Sequence, residues 1–259
     1  MTQGIFCMQG FSGMTLVMSI SFLYLVAVIK PDFSGKKALV AGGTGGIGKA
    51  IAYSLAHAGA QVLVLGRHTV PELESCVVDF DTAEGQSAAC EYAASTDILC
   101  ISRGPFLQKP LHETTTDDWK RMTQSNLAFP GMLVSAALPY QMEKRWGRML
   151  LFGGTRTDSV RGFSTNAAYA AAKTGLSSLV KSVALAYSDF GITCNGVCPG
   201  FTDTEYLRPE DKVLLAAKNP DGKLILAEDI AEISLMMLYT SSCNGIVLPV
   251  DKGWTPGFS

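Results

Sequence analysis

Tyr169 and Lys173 stand four residues apart in the run AAYAAAKTGL, which spans residues 167–176. Alanines are strong helix formers, and a helix sets residues four apart on one face, one above the other. The spacing therefore brings an ammonium beside a phenol. A phenol with an ordinary pKa of about 10 neither gives nor takes a proton readily at neutral pH. A fixed positive charge nearby favours the phenolate and moves the group toward general acid–base work. The same spacing also arises where a helix packs a tyrosine inward and lets a lysine reach solvent. Context decides between the two.

A second chemical signal is the turn Gly42-Gly43-Thr44-Gly45-Gly46-Ile47-Gly48. It follows the apolar run Lys37–Ala41 and precedes Lys49–Ala58, whose apolar residues recur at helical spacing; Gln61–Leu65 is then a second buried-type strand. Strand, glycine turn, helix and strand are the setting a dinucleotide fingerprint needs. The glycines let the backbone turn sharply and approach a pyrophosphate, and the helix N-terminus offers free N–H groups. Gly42, Thr44, Gly46, Ile47 and Gly48 are thus candidate cofactor residues. An acid at the end of the second strand would accept from an adenosine ribose and favour NAD(H); the sequence has Gly66-Arg67 there. An arginine suits a 2′-phosphate, so the reading is NADP(H) ahead of NAD(H). Asp79-Phe80, at the end of a strand over Cys76–Val78, is placed to meet an adenine amino group.

The elements that must position these groups alternate along 259 residues. Glu84–Ala94 is a short helix and Asp97–Ser102 a fourth strand. The pattern then gives a helix from about Asp117, N-capped within Thr116–Trp119, and helical sequence continues to Arg145 with bends or breaks at Pro130 and Pro139. Arg148–Phe152 is a fifth strand, Gly153–Asn166 a loop, and the Tyr169 helix runs to about Tyr187. Ile192–Val197 is a sixth strand, Ala227–Tyr239 a helix and Gly245–Val250 the last strand. Only ten residues separate His68 from Asp79, which leaves little room for a crossover helix. The segment Thr202–Gly222 shows no clear element, and Tyr206, Leu207 and Leu215 make it an apolar lid. The expectation is an α/β fold, a Rossmann-like doubly wound parallel sheet in a single domain over residues 31–259.

Composition narrows the function. A net charge of −2 without a basic stripe gives no electrostatic case for nucleic acid. Seven cysteines without a C-x-x-C pair and three scattered histidines argue against a metal site and for buried free thiols in a reducing compartment. Residues 1–30 form an apolar extension; the first charge is Lys30, and the run from 13 to 29 is at the lower limit for a membrane-spanning helix. It reads as a membrane anchor, as a stretch upstream of the true start at Met14 or Met18, or as a helix packed on the domain or a partner. The domain itself is expected in the cytoplasm, membrane-associated only through residues 13–29.

From Ser34 to about Trp254 the chain resembles the short-chain dehydrogenase/reductases, most closely short members such as 3-oxoacyl-carrier-protein reductases. The resemblance rests on FSGKKALVAGG with GGIG at 45–48, on Tyr169 and Lys173, and on Asn126 within Gln124-Ser125-Asn126-Leu127. CPGFTDT at 198–204 and NGIVLPVDKGW at 244–254 complete it. It implies an NADP(H)-dependent oxidoreductase that moves a hydride between nicotinamide and a small carbonyl or alcohol substrate, such as a 3-oxoacyl group or another ketone, in a homotetramer or homodimer. Tyr169 is then the general acid. Lys173 lowers its pKa and binds the nicotinamide ribose, and Asn126 holds a relay water. Pro199, Gly200, Thr202 and Thr204 lie at the carboxamide side of the nicotinamide. Three departures stand out: Ile101-Ser102-Arg103-Gly104 replaces the family's Asn-Asn-Ala-Gly, the region from His68 to Asp97 is shortened, and Arg156 occupies the usual place of the catalytic serine. Thr155 is the expected substitute hydroxyl, with Thr157 and Arg156 as the other candidates. The rival reading, prompted by the missing serine, is a non-catalytic nucleotide-binding sensor or scaffold.

Overall fold

The computed structural model describes residues 30–255, so the apolar stretch at 13–29 lies outside the described residues. The strands are β1 (Lys37–Ala41), β2 (Gln61–Gly66), β3 (Glu74–Val77), β4 (Ile98–Ile101), β5 (Gly147–Phe152), β6 (Ile192–Pro199), β7 (Thr202–Asp203), β8 (Ile225–Leu226) and β9 (Val247–Val250). Seven of them form one sheet in the order β3-β2-β1-β4-β5-β6-β9, parallel throughout; β7 and β8 pair in a separate two-stranded ribbon. The helices are α1 (Gly46–His57), α2 (Ala83–Ala93), α3 (Thr116–Thr123), α4 (Phe129–Lys144), α5 (Ala167–Tyr187), α6 (Pro209–Ala216) and α7 (Ala227–Tyr239).

The central strands are apolar at successive positions because both faces of the sheet are covered. On β1, Ala38 and Val40 face one layer with Ile51 and Leu55 of α1 and Ile230 of α7. Leu39 and Ala41 face the other, with Phe129 and Leu133 of α4 and Val180 of α5. Arg148, a buried guanidinium at the start of β5, donates to the carbonyls of Leu238, Gly147 and Gly191, tying the end of α7 to the sheet. The strand order reverses between β1 and β4, so a crevice opens at the carboxyl ends of those two strands.

Four details differ from, or sharpen, the sequence expectation. Residues 67–73 connect β2 to β3 without a helix, as the short spacing required, and β3 is left as an edge with Val77 largely exposed. The long helical stretch divides at a π-turn, Gln124–Ala128, upstream of Pro130, while Pro139 lies inside an unbroken α4. A proline at 130 has no N–H to return to the carbonyl four residues earlier, and Phe129 N–H instead donates to the Gln124 carbonyl, five back. The segment Thr202–Gly222 holds β7 and α6, with Pro209 opening the helix and Glu210 and Asp211 in its first turn.

Candidate active site

Between β1 and α1 the chain makes the glycine turn. Gly42 and Gly46 have φ of 87° and 51°, which side-chain-bearing residues rarely adopt. A Cβ on Gly48 would collide with the Gly42 carbonyl, so this glycine allows the helix to start against the turn; it packs behind the surface instead of lining it. Gly45 caps α1 with extended backbone and no side-chain acceptor, leaving the first N–H groups of the helix to outside partners. The partner present is the Glu205 carboxylate, whose two oxygens each lie 3.1 Å from the Gly46 nitrogen, with Lys49 Nζ at 3.4 Å. Burial pushes the Glu205 carboxyl up, but its own amide, the Gly46 amide and Lys49 hold it below the usual range. These donors accommodate an anion, as the diphosphate of a dinucleotide would require.

A cavity of about 400 Å³ opens from this turn. Gly42, Thr44, Gly46 and Ile47 line one side, Arg67, Asp79 and Phe80 another, and Thr204 closes it. Arg67 is exposed; the Phe80 ring is buried against Phe129 (5.1 Å between centroids), so Phe80 offers the cavity little more than its backbone. Arg103, within the Ile101-Ser102-Arg103-Gly104 departure from the family pattern, also lines this cavity. It pairs with Asp81 at 2.5 Å and lies over the Phe80 ring at 5.1 Å.

A second cavity of about 360 Å³ shares Ile47, Ser102, Arg103, Gly104 and Thr204 with the first, so one groove runs along the carboxyl edge of the sheet. Tyr169, Lys173, Thr155, Pro199, Gly200 and Thr202 line it, as do Leu207 and Leu215. Tyr169 and Lys173 occupy the first turns of α5, and the Tyr169 ring stands edge-on to Phe106 at 5.0 Å. The Lys173 ammonium is buried and donates to the carbonyls of Phe152 (2.7 Å) and Arg103 (3.3 Å). Burial lowers it to about 8, with Cys198 opposing that shift and Arg103 adding to it. Tyr169 departs from expectation. Burial, with a smaller contribution from Cys198, pushes the phenol up instead of Lys173 drawing it down. Both groups are desolvated, which disfavours the charged form of each.

Asn126 is fully buried in the π-turn, where its amide donates to the Pro105 carbonyl at 3.1 Å. Its Oδ1 has no hydrogen-bond partner among the described residues. Gly104 lies directly over it: a Cβ there would collide with Asn126 Oδ1 and come within 2.9 Å of Lys173 Nζ. The fold thus brings Asn126, Gly104 and Lys173 together from three elements. Of residues 155–157, Thr155 lines the cavity with Tyr169, its hydroxyl donating to the Pro199 carbonyl at 3.0 Å. Arg156 takes φ of 64° and lays its guanidinium over the rings of Trp254 and Phe163. Thr157 is buried, its hydroxyl closing the loop on the amide and carbonyl of Gly154. Among the described residues no group of three or more side chains could hold a metal, and no helix is long and apolar enough to cross a membrane.

Comparison with known proteins agrees with this geometry. Residues 41–255 match the family model described as enoyl-(acyl carrier protein) reductase. The chain is 32% identical over 219 residues to the 3-oxoacyl-[acyl-carrier-protein] reductase of Escherichia coli, covering 77% of this chain and 88% of that one. It is 25% identical to the D-beta-hydroxybutyrate dehydrogenase of Rhizobium meliloti, over 85% of this chain and 98% of the relative. Among solved structures, a Beutenbergia cavernae protein carrying NADP at low occupancy superposes with a TM-score of 0.78 at 27% identity, covering 88% of this chain and 99% of its own. The chain belongs to the short-chain dehydrogenase/reductase family of oxidoreductases, whose members bind NAD(P).

Proposed function

We propose that this chain reduces a carbonyl group, or oxidises the corresponding alcohol, with NADP(H) as the preferred cofactor. The observation that carries the reading is the single groove joining the α1 N-terminus to Tyr169, Lys173 and Thr155. Gly42, Gly46 and the α1 amides would hold the diphosphate, with Gly48 allowing the turn. Arg67 would meet the 2′-phosphate, with Thr44 and Ile47 alongside; Asp79 and the Phe80 backbone would face the adenine. Pro199, Gly200, Thr202 and Thr204 would border the nicotinamide, which when bound supplies a hydride donor or acceptor.

Tyr169 gives its Oη proton to the oxygen of the substrate during reduction. A phenol pushed up by burial stays protonated at neutral pH, which suits that direction. Alcohol oxidation asks the same group to accept a proton and so needs the phenolate, which burial opposes. Lys173, held by the Phe152 carbonyl, fixes a positive charge one helical turn from the phenol. Asn126 Oδ1, without a partner among the described residues, is an acceptor for a water that returns protons toward Lys173. Thr155 polarises the substrate carbonyl once its hydroxyl turns from Pro199. The apolar Phe106, Leu207 and Leu215 favour a substrate with an apolar body next to its carbonyl. Family membership also supports self-association as a homodimer or homotetramer.

The test is NADPH and NADH consumption across a panel of ketones and 3-oxoacyl thioesters. The expected result is turnover of at least one carbonyl with NADPH favoured; nucleotide binding without turnover of any of them would contradict the reading.

A further inference from the structure

The Glu205 carboxylate sits on the amide at the start of α1, the position a bound diphosphate would need. Resting on the nucleotide reading above, we propose that Glu205 is an internal anion that holds the nucleotide turn closed and must be displaced when NADP(H) binds. Both Glu205 oxygens reach the Gly46 nitrogen at 3.1 Å, and Lys49 Nζ is engaged at 3.4 Å. The next residue seals the contact. The Tyr206 hydroxyl rests on Gly45, where any Cβ would strike it, and Tyr206 and Thr204 form the wall of the cavity facing Gly46.

The segment carrying these two residues is built to be held in place and yet to move. It is a turn between β7 and α6, with Leu207 N–H donating to the Thr204 carbonyl at 3.2 Å. Lys212 of α6 braces it by pairing with Asp203 at 2.5 Å. Glu205 and Tyr206 are themselves exposed, so little apolar burial opposes their departure. A carboxylate and a diphosphate compete for the same helix N-terminus, and each gains from the same amides and dipole. Displacement also frees Lys49, which the carboxylate now neutralises, to face the incoming phosphates. Because Leu207 lines the substrate cavity, cofactor arrival and the shape of that cavity are coupled through one turn.

The test uses the full chain, as wild type and with Glu205→Gln and Glu205→Ala, titrated with NADPH by fluorescence. Amide exchange at Gly46 is followed separately without nucleotide. Removing the competing charge is expected to tighten NADPH binding by about fivefold or more in both variants. Exchange at Gly46 should be faster in Glu205→Ala than in wild type before any nucleotide is added. Binding by the variants alone, with none by wild type, also supports the latch. NADPH binding by wild type with unchanged or weaker affinity in both variants overturns the latch and leaves the proposed function standing. Equal Gly46 exchange in wild type and Glu205→Ala overturns the contact itself. Failure of all three proteins to bind NADPH or NADH overturns the nucleotide reading, and the latch with it.

Discussion

Lys173 is an ammonium buried under Gly104 and bonded to two carbonyls, and its protonation is tied to the stability of the fold. Burial lowers its pKa from 10.5 to about 8. Below about 8 both folded and unfolded chains carry the proton, and the fold bears the full cost of the buried charge. Between about 8 and 10.5 the unfolded chain binds more protons, so this group's contribution to stability rises with pH. A Lys173→Met protein lacks that term. Its stability relative to wild type, from urea unfolding at pH 7 and pH 10, should fall by up to about 3 kcal/mol between the two. A difference constant with pH would show that the ammonium is not desolvated. Arg67→Ala should weaken NADPH binding by about 10- to 100-fold and leave NADH within about twofold, measured by fluorescence titration, since charge-assisted bonds are worth roughly 1.5–3 kcal/mol. Tyr169, Lys173 and the glycines were legible in the sequence because their spacing is local. The rise in the phenol was not, because it comes from desolvation by distant chain.

At the scale of elements, the site depends on a π-turn, a bare glycine and a strand end meeting. The glycine after β4 was visible in the sequence, but its task was not: Asn126 reaches it from the π-turn and Lys173 from α5, both distant along the chain. Gly104→Ala should press a methyl into Asn126 and Lys173, costing about 1–3 kcal/mol of stability in urea unfolding. Turnover should fall about tenfold or more if that triad positions the proton route, since each 1.36 kcal/mol on the barrier is tenfold in rate. An unaltered kcat in the folded variant would remove Asn126 from the route. Pro130 was informative about where the helix changes, yet the break fell before it, because the turn adjusts upstream of a missing donor; Pro139 divides nothing. The helix α6 escaped notice because its eight residues carry a weak apolar pattern; the signal present was Pro209 followed by two acids. The loop at 155–157 resisted reading for a different reason. A left-handed backbone at Arg156 decides which hydroxyl faces the cavity, and nothing in the residue types announces it.

For the whole molecule, a parallel sheet with helices on both faces was recoverable from alternating strands and helices; the strand order, and with it the crevice at the β1–β4 reversal, came only with the fold. The groove is what the fold adds. It brings a nucleotide turn from residues 42–48, a strand end at 102–104 and a helix starting at 167 along one edge. Self-association, expected of the family, is checked by sedimentation: a mass of twice or four times 27.6 kDa is the predicted result, and a monomer at micromolar concentration contradicts it. If the proposed function holds, this groove delivers a substrate carbonyl to the Tyr169 hydroxyl. The most direct test is the turnover of Tyr169→Phe on a carbonyl substrate identified with wild type, alongside NADPH affinity. In Tyr169→Phe, kcat should fall by at least about 100-fold, the scale of a lost general acid, while NADPH binding stays within about tenfold. A Tyr169→Phe protein that turns over at the wild-type rate would contradict the proposed function.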